Sequence, residues 1–115
     1  MITIYHNPRC KKSRAGLEYL KSKTADFEIK LYLKDDVFTN ESLYDIIKKT
    51  GKNPVEMIRT QEAYYKQNMK GKDLSSNDII KLMVENPKLI NRPIVVKDEK
   101  AVWGDPPEKI EALFK

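Results

Sequence analysis

At 115 residues the chain is long enough for one domain with its own core, and 40% hydrophobic against 34% charged residues is the balance of an ordinary globular protein. One cysteine excludes an internal disulfide framework and points to a reducing compartment, and no apolar run reaches membrane-spanning length. The net charge of +5 fits an anionic ligand, although lysine-rich solvated faces are the commoner source of such a charge.

Ile2–Tyr5 predicts a strand, entered from Met1 without the charged and apolar segments of a leader, so the expected location is cytoplasmic. Pro8 marks the end of that strand. After Cys10, Ser13, Gly16, Leu17 and Leu20 form one small-to-apolar stripe at helical period, with Gly16 placed for a close approach to a neighbour. Phe27, Ile29, Leu31 and Leu33 alternate with polar residues and predict a half-buried strand, parallel to the first. Thr39 is the expected N-cap of a helix bearing Leu43, Ile46 and Ile47 and closed by Gly51. Asn53-Pro54-Val55-Glu56 predicts a second helix carrying Val55, Ile58 and Arg59. Gln61 to Lys72 reads as a short helix or a loop. Ser75 opens a further helix over Ile79, Ile80, Leu82 and Met83, stopped at Asn86-Pro87. Pro93–Val96 and Ala101–Trp103 predict a hairpin, and Pro106-Pro107 a last helix with Ile110, Leu113 and Phe114. The order β-α-β, helices, β-β-α is that of an α/β thioredoxin-like fold, one domain over 1–115 with an all-helical insertion at about 37–88 between its βαβ and ββα halves.

Cys10 stands between this first strand and first helix. A helix N-terminus offers unpaired N–H groups and partial positive charge, which favour a thiolate and an anion beside it. A lone cysteine is more often a small buried hydrophobe. Arg9, Lys11, Lys12 and Arg14 around it are poor company for a core residue and good company for a thiolate. Only four of the 22 basic residues are arginine, Arg9, Arg14, Arg59 and Arg92, and each is a candidate for gripping an oxyanion with a planar fork, against chance placement at even odds. His6, the sole histidine, either lowers the thiol pKa as an imidazolium or completes a strand end as a polar residue. Tyr64 and Tyr65 read as packing or surface residues before ligand-stacking ones. One cysteine and one histidine make no metal cluster, so no metal and no bound cofactor is expected, and no nucleic-acid motif is present. A Cys-x-x-Ser pair cannot close its own disulfide, so oxidised or adducted Cys10 needs an outside thiol.

The run Ile2-Thr3-Ile4-Tyr5-His6-Asn7-Pro8-x-Cys10-x-x-Ser13-Arg14-x-x-Leu17-x-x-Leu20 resembles the opening of the glutaredoxin-coupled arsenate reductases of the ArsC family. Leu31-Tyr32-Leu33 resembles its second strand, Met57-Ile58-Arg59 its central arginine motif, and Leu89-Ile90-Asn91-Arg92-Pro93-Ile94-Val95-Val96 its signature before the hairpin. The likeness implies a thioredoxin-like fold and an enzyme that reduces arsenate, or a similar oxyanion, to arsenite with glutathione as co-substrate and glutaredoxin as partner. It implies Cys10 as nucleophile, Arg59, Arg92 and Ser13 as substrate-binding, and His6 and Arg14 as tuning the thiolate, with Arg92-Pro93 at the place of the cis-proline of thioredoxin folds. The alternatives are a regulator of the family's Spx type that binds RNA polymerase, and a thiol protein acting on another substrate. The chain departs from the family's arsenate reductases at Asp105, where those enzymes carry a third arginine, and Lys11-Lys12 stand where many have Gly-Thr. A negative charge there works against a bound dianion.

Overall fold

The computed structural model describes residues 1–34 and 36–115 and divides them into two compact units, one of 1–37 with 92–115 and one of 38–91. The first unit carries the sheet. β1 (Ile2–Tyr5) is followed by α1 (Lys11–Lys23) and β2 (Glu28–Lys30); β3 (Ile94–Lys97), β4 (Lys100–Trp103) and a 3-10 helix over Pro107–Phe114 come after the second unit. The four strands lie in the order β2-β1-β3-β4. β1 pairs parallel with β2, with Ile4 opposite Ile29, and antiparallel with β3, with Ile4 opposite Val95. β3 and β4 form a hairpin whose last pair is Lys97 with Lys100, so only Asp98 and Glu99 make the turn. Asp98 takes a positive φ of 56°, which aspartate tolerates better than bulky residues do. This is the thioredoxin-like arrangement of an α/β protein.

The period of two along β1 turns Ile2 and Ile4 to one face, where they meet Val95, Leu20 of α1, and Ile110 and Leu113 of the last helix. Leu17, Tyr19, Phe27, Val102 and Phe114 pack around this cluster. The far end of α1 is tied to the last helix by Glu111, which accepts from the Tyr19 hydroxyl at 2.9 Å and pairs with Lys23 at 2.5 Å. Gly16 is in the same stripe, and a Cβ there would fall inside contact distance of Pro93 Cγ and at 3.3 Å from the Gly104 carbonyl oxygen. Gly16→Ala gains up to about 1 kcal/mol of helix propensity but overpacks a site whose neighbours include backbone. The expected outcome is a net loss of about 1–2 kcal/mol, read as a lower urea midpoint. A midpoint that rises would mean that α1 can move off Pro93 without cost.

The expected second strand is shorter than its alternation suggests. β2 ends at Lys30, because Lys34 N–H bonds back to the Leu31 carbonyl at 3.1 Å and turns the chain. Ile29 is 44% exposed on this edge strand, and Tyr32 rather than Leu33 is buried.

In the second unit α2 (Asn40–Lys49) starts from a capping box between Thr39 and Ser42, and α4 (Ser76–Glu85) from one between Ser75 and Asp78. α2 and α4 pack together, burying Leu43, Ile46, Ile47, Ile79, Ile80 and Met83. Gly51 follows α2 with φ 77°, the left-handed stop that glycine permits. The helix expected from Asn53 is a single 3-10 turn, Pro54–Met57. Val55 is 58% exposed, and Ile58 leaves the turn to form a β-bridge with Ile90. α3 (Ala63–Asn68) occupies the segment read as helix or loop. Among the described residues no helix is long and apolar enough to cross a membrane.

Candidate active site

The turn from β1 into α1 is built around Asn7. Its backbone carbonyl accepts from Cys10 N–H at 3.0 Å and its side-chain oxygen from Arg9 N–H at 3.1 Å. Arg14 closes the turn from the helix side, donating from Nη1 to the Pro8 carbonyl at 3.0 Å. Cys10 is the N-cap residue of α1, extended at φ −95° and ψ 122°, and its carbonyl accepts the first helical bond from Arg14 N–H at 2.9 Å. Among the described residues the Cys10 side chain makes no capping hydrogen bond, and the first turn of α1 holds no acidic residue. The half-buried thiol therefore stands at the positive end of α1 with nothing negative in the first turn to offset it.

Ser13, expected to bind substrate, serves in this structure as a hydrogen-bonding brace. It is fully buried, its Oγ lies 2.7 Å from His6 Nδ1, and it accepts from Asn7 N–H at 3.0 Å. Its work is to lock β1, the turn and α1 together. His6 is also buried, held by its own N–H to the Lys30 carbonyl at 2.9 Å. Burial, then the positive charges of Lys21 and Arg14, hold its imidazole below the ordinary 6.5. That direction favours the neutral ring over the imidazolium expected to tune Cys10.

That depressed pKa has a stability consequence with a definite sign. The unfolded chain binds the His6 proton more tightly than the folded one, so the contribution is fully present above about pH 6.5 and is lost as pH falls through that value toward the folded-state pKa. Urea midpoints between pH 8 and pH 5 should fall on acidification, and His6→Gln should flatten the upper part of that slope. An equal slope in both proteins would assign the acid sensitivity to the carboxylates instead.

Arg92, at the start of the segment leading into β3, is 5% exposed, and its carbonyl accepts from Trp103 Nε1 at 3.2 Å. The Arg92–Pro93 and Asp105–Pro106 bonds are cis. Pro93 O accepts from Gly104 N–H at 2.8 Å, which binds the two ends of the hairpin. Asp105 is fixed next to the start of α1: its Oδ2 lies 3.3 Å from Lys12 Nζ. Arg59 belongs to the other unit, where its backbone N–H bonds to the Leu89 carbonyl at 2.7 Å and its guanidinium pairs with Glu62. Asn91 braces that segment, donating from Nδ2 to the Ile58 carbonyl at 3.3 Å. Tyr64 and Tyr65 are half-buried on α3. Cys10, His6, Ser13, Arg14 and Arg92 thus share one unit, and Arg59 lies outside it.

Sequence reasoning missed Asn7, Lys12 and Trp103. Asn7-Pro8 before a helix is a turn signal that pointed to Asn7. Nothing in the linear pattern joined Lys12 to Asp105, or Trp103 to Arg92. Among the described residues no group of three or more His, Cys, Asp or Glu side chains could hold a metal ion.

The model of the ArsC family matches residues 5–113. The chain is 42% identical over 111 residues, 95% of each protein, to a protein named arsenate reductase from Haemophilus influenzae. It is 30% identical over 115 residues, 99% of this chain and 90% of the other, to the regulatory protein MgsR of Bacillus subtilis. The solved structure of an arsenate reductase from Vibrio cholerae superposes with a TM-score of 0.90 at 37% identity, over 97% of this chain and 96% of that one.

Proposed function

Since the chain belongs to the ArsC family, we propose that it is a thiol-dependent oxidoreductase that reduces arsenate to arsenite, with glutathione and glutaredoxin supplying the electrons. The observation that carries this reading is the placement of the only cysteine at the uncapped N-terminus of α1, in the same unit as a buried arginine, in a chain 42% identical to a protein named arsenate reductase. Cys10 thiolate attacks arsenic and a water leaves, giving a Cys10–As(V) ester. Glutathione adds through sulfur and a second water leaves. A glutaredoxin thiolate then attacks the glutathione sulfur; a mixed disulfide forms, and the electron pair of the broken sulfur–arsenic bond stays on arsenic as As(III). Water cleaves the remaining Cys10–As bond and frees arsenite and the thiol. One arsenate and two thiols give one arsenite, one disulfide and one water. Helix N–H groups and Arg92 hold the oxyanion in this scheme. Arg59 enters it through the family resemblance alone.

The test is NADPH consumption with arsenate, glutathione, glutaredoxin and glutathione reductase, omitting each in turn. Turnover that needs both glutathione and glutaredoxin supports the scheme; no turnover with any of them overturns it. Arg92→Lys keeps the charge and loses the bidentate fork, and about a tenfold fall in kcat/KM for arsenate is expected. Equal kcat/KM in the two proteins would remove Arg92 from the oxyanion site.

The likeness to MgsR supports a second reading, a regulator that binds RNA polymerase. Capture of the polymerase α subunit from a lysate by the wild-type chain, with no arsenate turnover, would decide for it.

A further inference from the structure

The sheet order β2-β1-β3-β4 puts β2 on an outer edge, with one side bonded to β1 and the other facing out. His6 N–H bonds to the Lys30 carbonyl, so Lys30 turns its backbone groups toward β1. Backbone groups alternate in direction along a strand, so those of Glu28 point to β1 as well and those of Ile29 point out. Side chains alternate between the two faces. Ile29 is 44% exposed on one face; Glu28 and Lys30 stand on the other, 3.8 Å apart, with side chains 47% and 43% exposed. An edge with an outward donor, an outward acceptor and an exposed isoleucine between two opposite charges is a template for one more strand. The run acid, isoleucine, base is its own complement when reversed, so a strand that fits it is a second β2.

We propose that the free edge of β2 is a self-association surface, on which β2 of a second copy of this chain pairs antiparallel about a two-fold axis between the two Ile29 residues. Ile29 of each copy donates its N–H to the Ile29 carbonyl of the other, which joins the two four-stranded sheets into one. Glu28 of each copy stands opposite Lys30 of the other, so four charges alternate in sign on one face while the two isoleucines lie side by side on the opposite face. The register is specific. A two-fold at Glu28 sets carboxylate against carboxylate, and one at Lys30 sets ammonium against ammonium. Both of those residues also have their backbone groups turned to β1. With a net charge of +5 on each copy, association needs such a local match to overcome the overall repulsion. The other sheet edge offers no equivalent, because β4 begins at Lys100 and holds no acidic residue. Each copy brings one β2 edge and the same surface serves both, so the assembly closes at two copies.

The experiment is sedimentation velocity on the full chain from about 10 µM to about 1 mM, the span that a small interface calls for, with a reductant that keeps Cys10 from linking two copies. The mass should rise with concentration from 13.4 kDa toward twice that value and stop there. Glu28→Lys alone and Lys30→Glu alone each set like charges opposite one another at two places, and each should weaken association about tenfold or more. An equimolar mixture of the two single variants should associate at least as well as the wild type, because one copy then carries two cations and the other two carboxylates. The double exchange of both residues in one chain should also restore pairing. A chain that stays at 13.4 kDa throughout, a mass that runs past twice that value, single variants that associate like the wild type, or a mixture that stays monomeric each overturn the proposal. The wild type alone supplies a further arm, should a single variant fail to fold. The Ile29 amide is bonded only in the pair, so its hydrogen exchange should slow as the protein concentration rises. Exchange at Ile29 indifferent to concentration while the mass doubles would place the contact elsewhere.

Discussion

Cys10→Ser is expected to take arsenate reduction down by more than about 1,000-fold, to the level of the buffer, while the folded chain becomes no less stable. The two halves of this expectation come from the same position. Cys10 is the N-cap of α1 and makes no side-chain capping bond there. Serine is among the preferred N-cap residues, and its hydroxyl accepting from an N–H of the first turn is worth about 0.5–1 kcal/mol. Sulfur at this position is therefore a choice against helix stability, and the compensation is chemical: a sulfur nucleophile at a helix N-terminus, where a thiolate is favoured. The chain has no second cysteine to take over. Turnover and urea midpoint should move in opposite directions, or turnover alone should fall. If both fell together, Cys10 would be a packing residue; if turnover survived, another group would carry the chemistry.

The order of elements was legible because each helix announces itself with a cap. Thr39 and Ser75 stand at their predicted places with reciprocal bonds, and Gly51 ends α2 with a positive φ. Periodicity misled where the chain leaves a regular element early. Phe27, Ile29, Leu31 and Leu33 alternate as a core strand would, yet the turn at Leu31–Lys34 cuts β2 to three residues and leaves Ile29 on an exposed edge. Asn53-Pro54 starts a helix correctly, but Ile58 is drawn into a bridge with Ile90, and a pairing with a residue so distant in sequence leaves no local mark. In the site, the stripe Ser13, Gly16, Leu20 already marked the face of α1 that is buried, and Ser13 lies on it. The downward pull on the His6 imidazole was not legible, because it depends on burial and on the charges of Lys21 and Arg14.

The second large effect concerns Asp105. Asp105→Arg is expected to raise arsenate affinity or kcat/KM by one to two orders of magnitude. By the family resemblance read from the sequence, Asp105 is a negative charge at a place where a third arginine is expected. In the structure it is anchored to the start of α1 through Lys12, at 3.3 Å, with 24% of its side chain exposed. The pair thus removes a cation from the helix end that is proposed to receive the anion, besides adding an anion of its own. Replacing it by arginine frees Lys12 and adds a bidentate donor, and one charge-assisted hydrogen bond contributes about 1.5–3 kcal/mol, which is that factor in rate or affinity. Little is lost in stability, since Lys12 is 59% exposed and exposed ion pairs contribute about 0–1 kcal/mol. Lys12→Ala supplies the opposite arm: it leaves the Asp105 carboxylate unpaired beside the helix start and should weaken arsenate binding. Both proteins and the wild type are compared in the coupled assay over a range of salt concentrations, because screening should shrink the difference if it is electrostatic. Identical kcat/KM in all three would mean that the Lys12–Asp105 pair is neutral toward the substrate, and that an arginine-free edge is simply how this chain meets its oxyanion. An improvement from Asp105→Arg matched by a loss from Lys12→Ala would instead show that the pair sets how much positive charge the head of α1 presents.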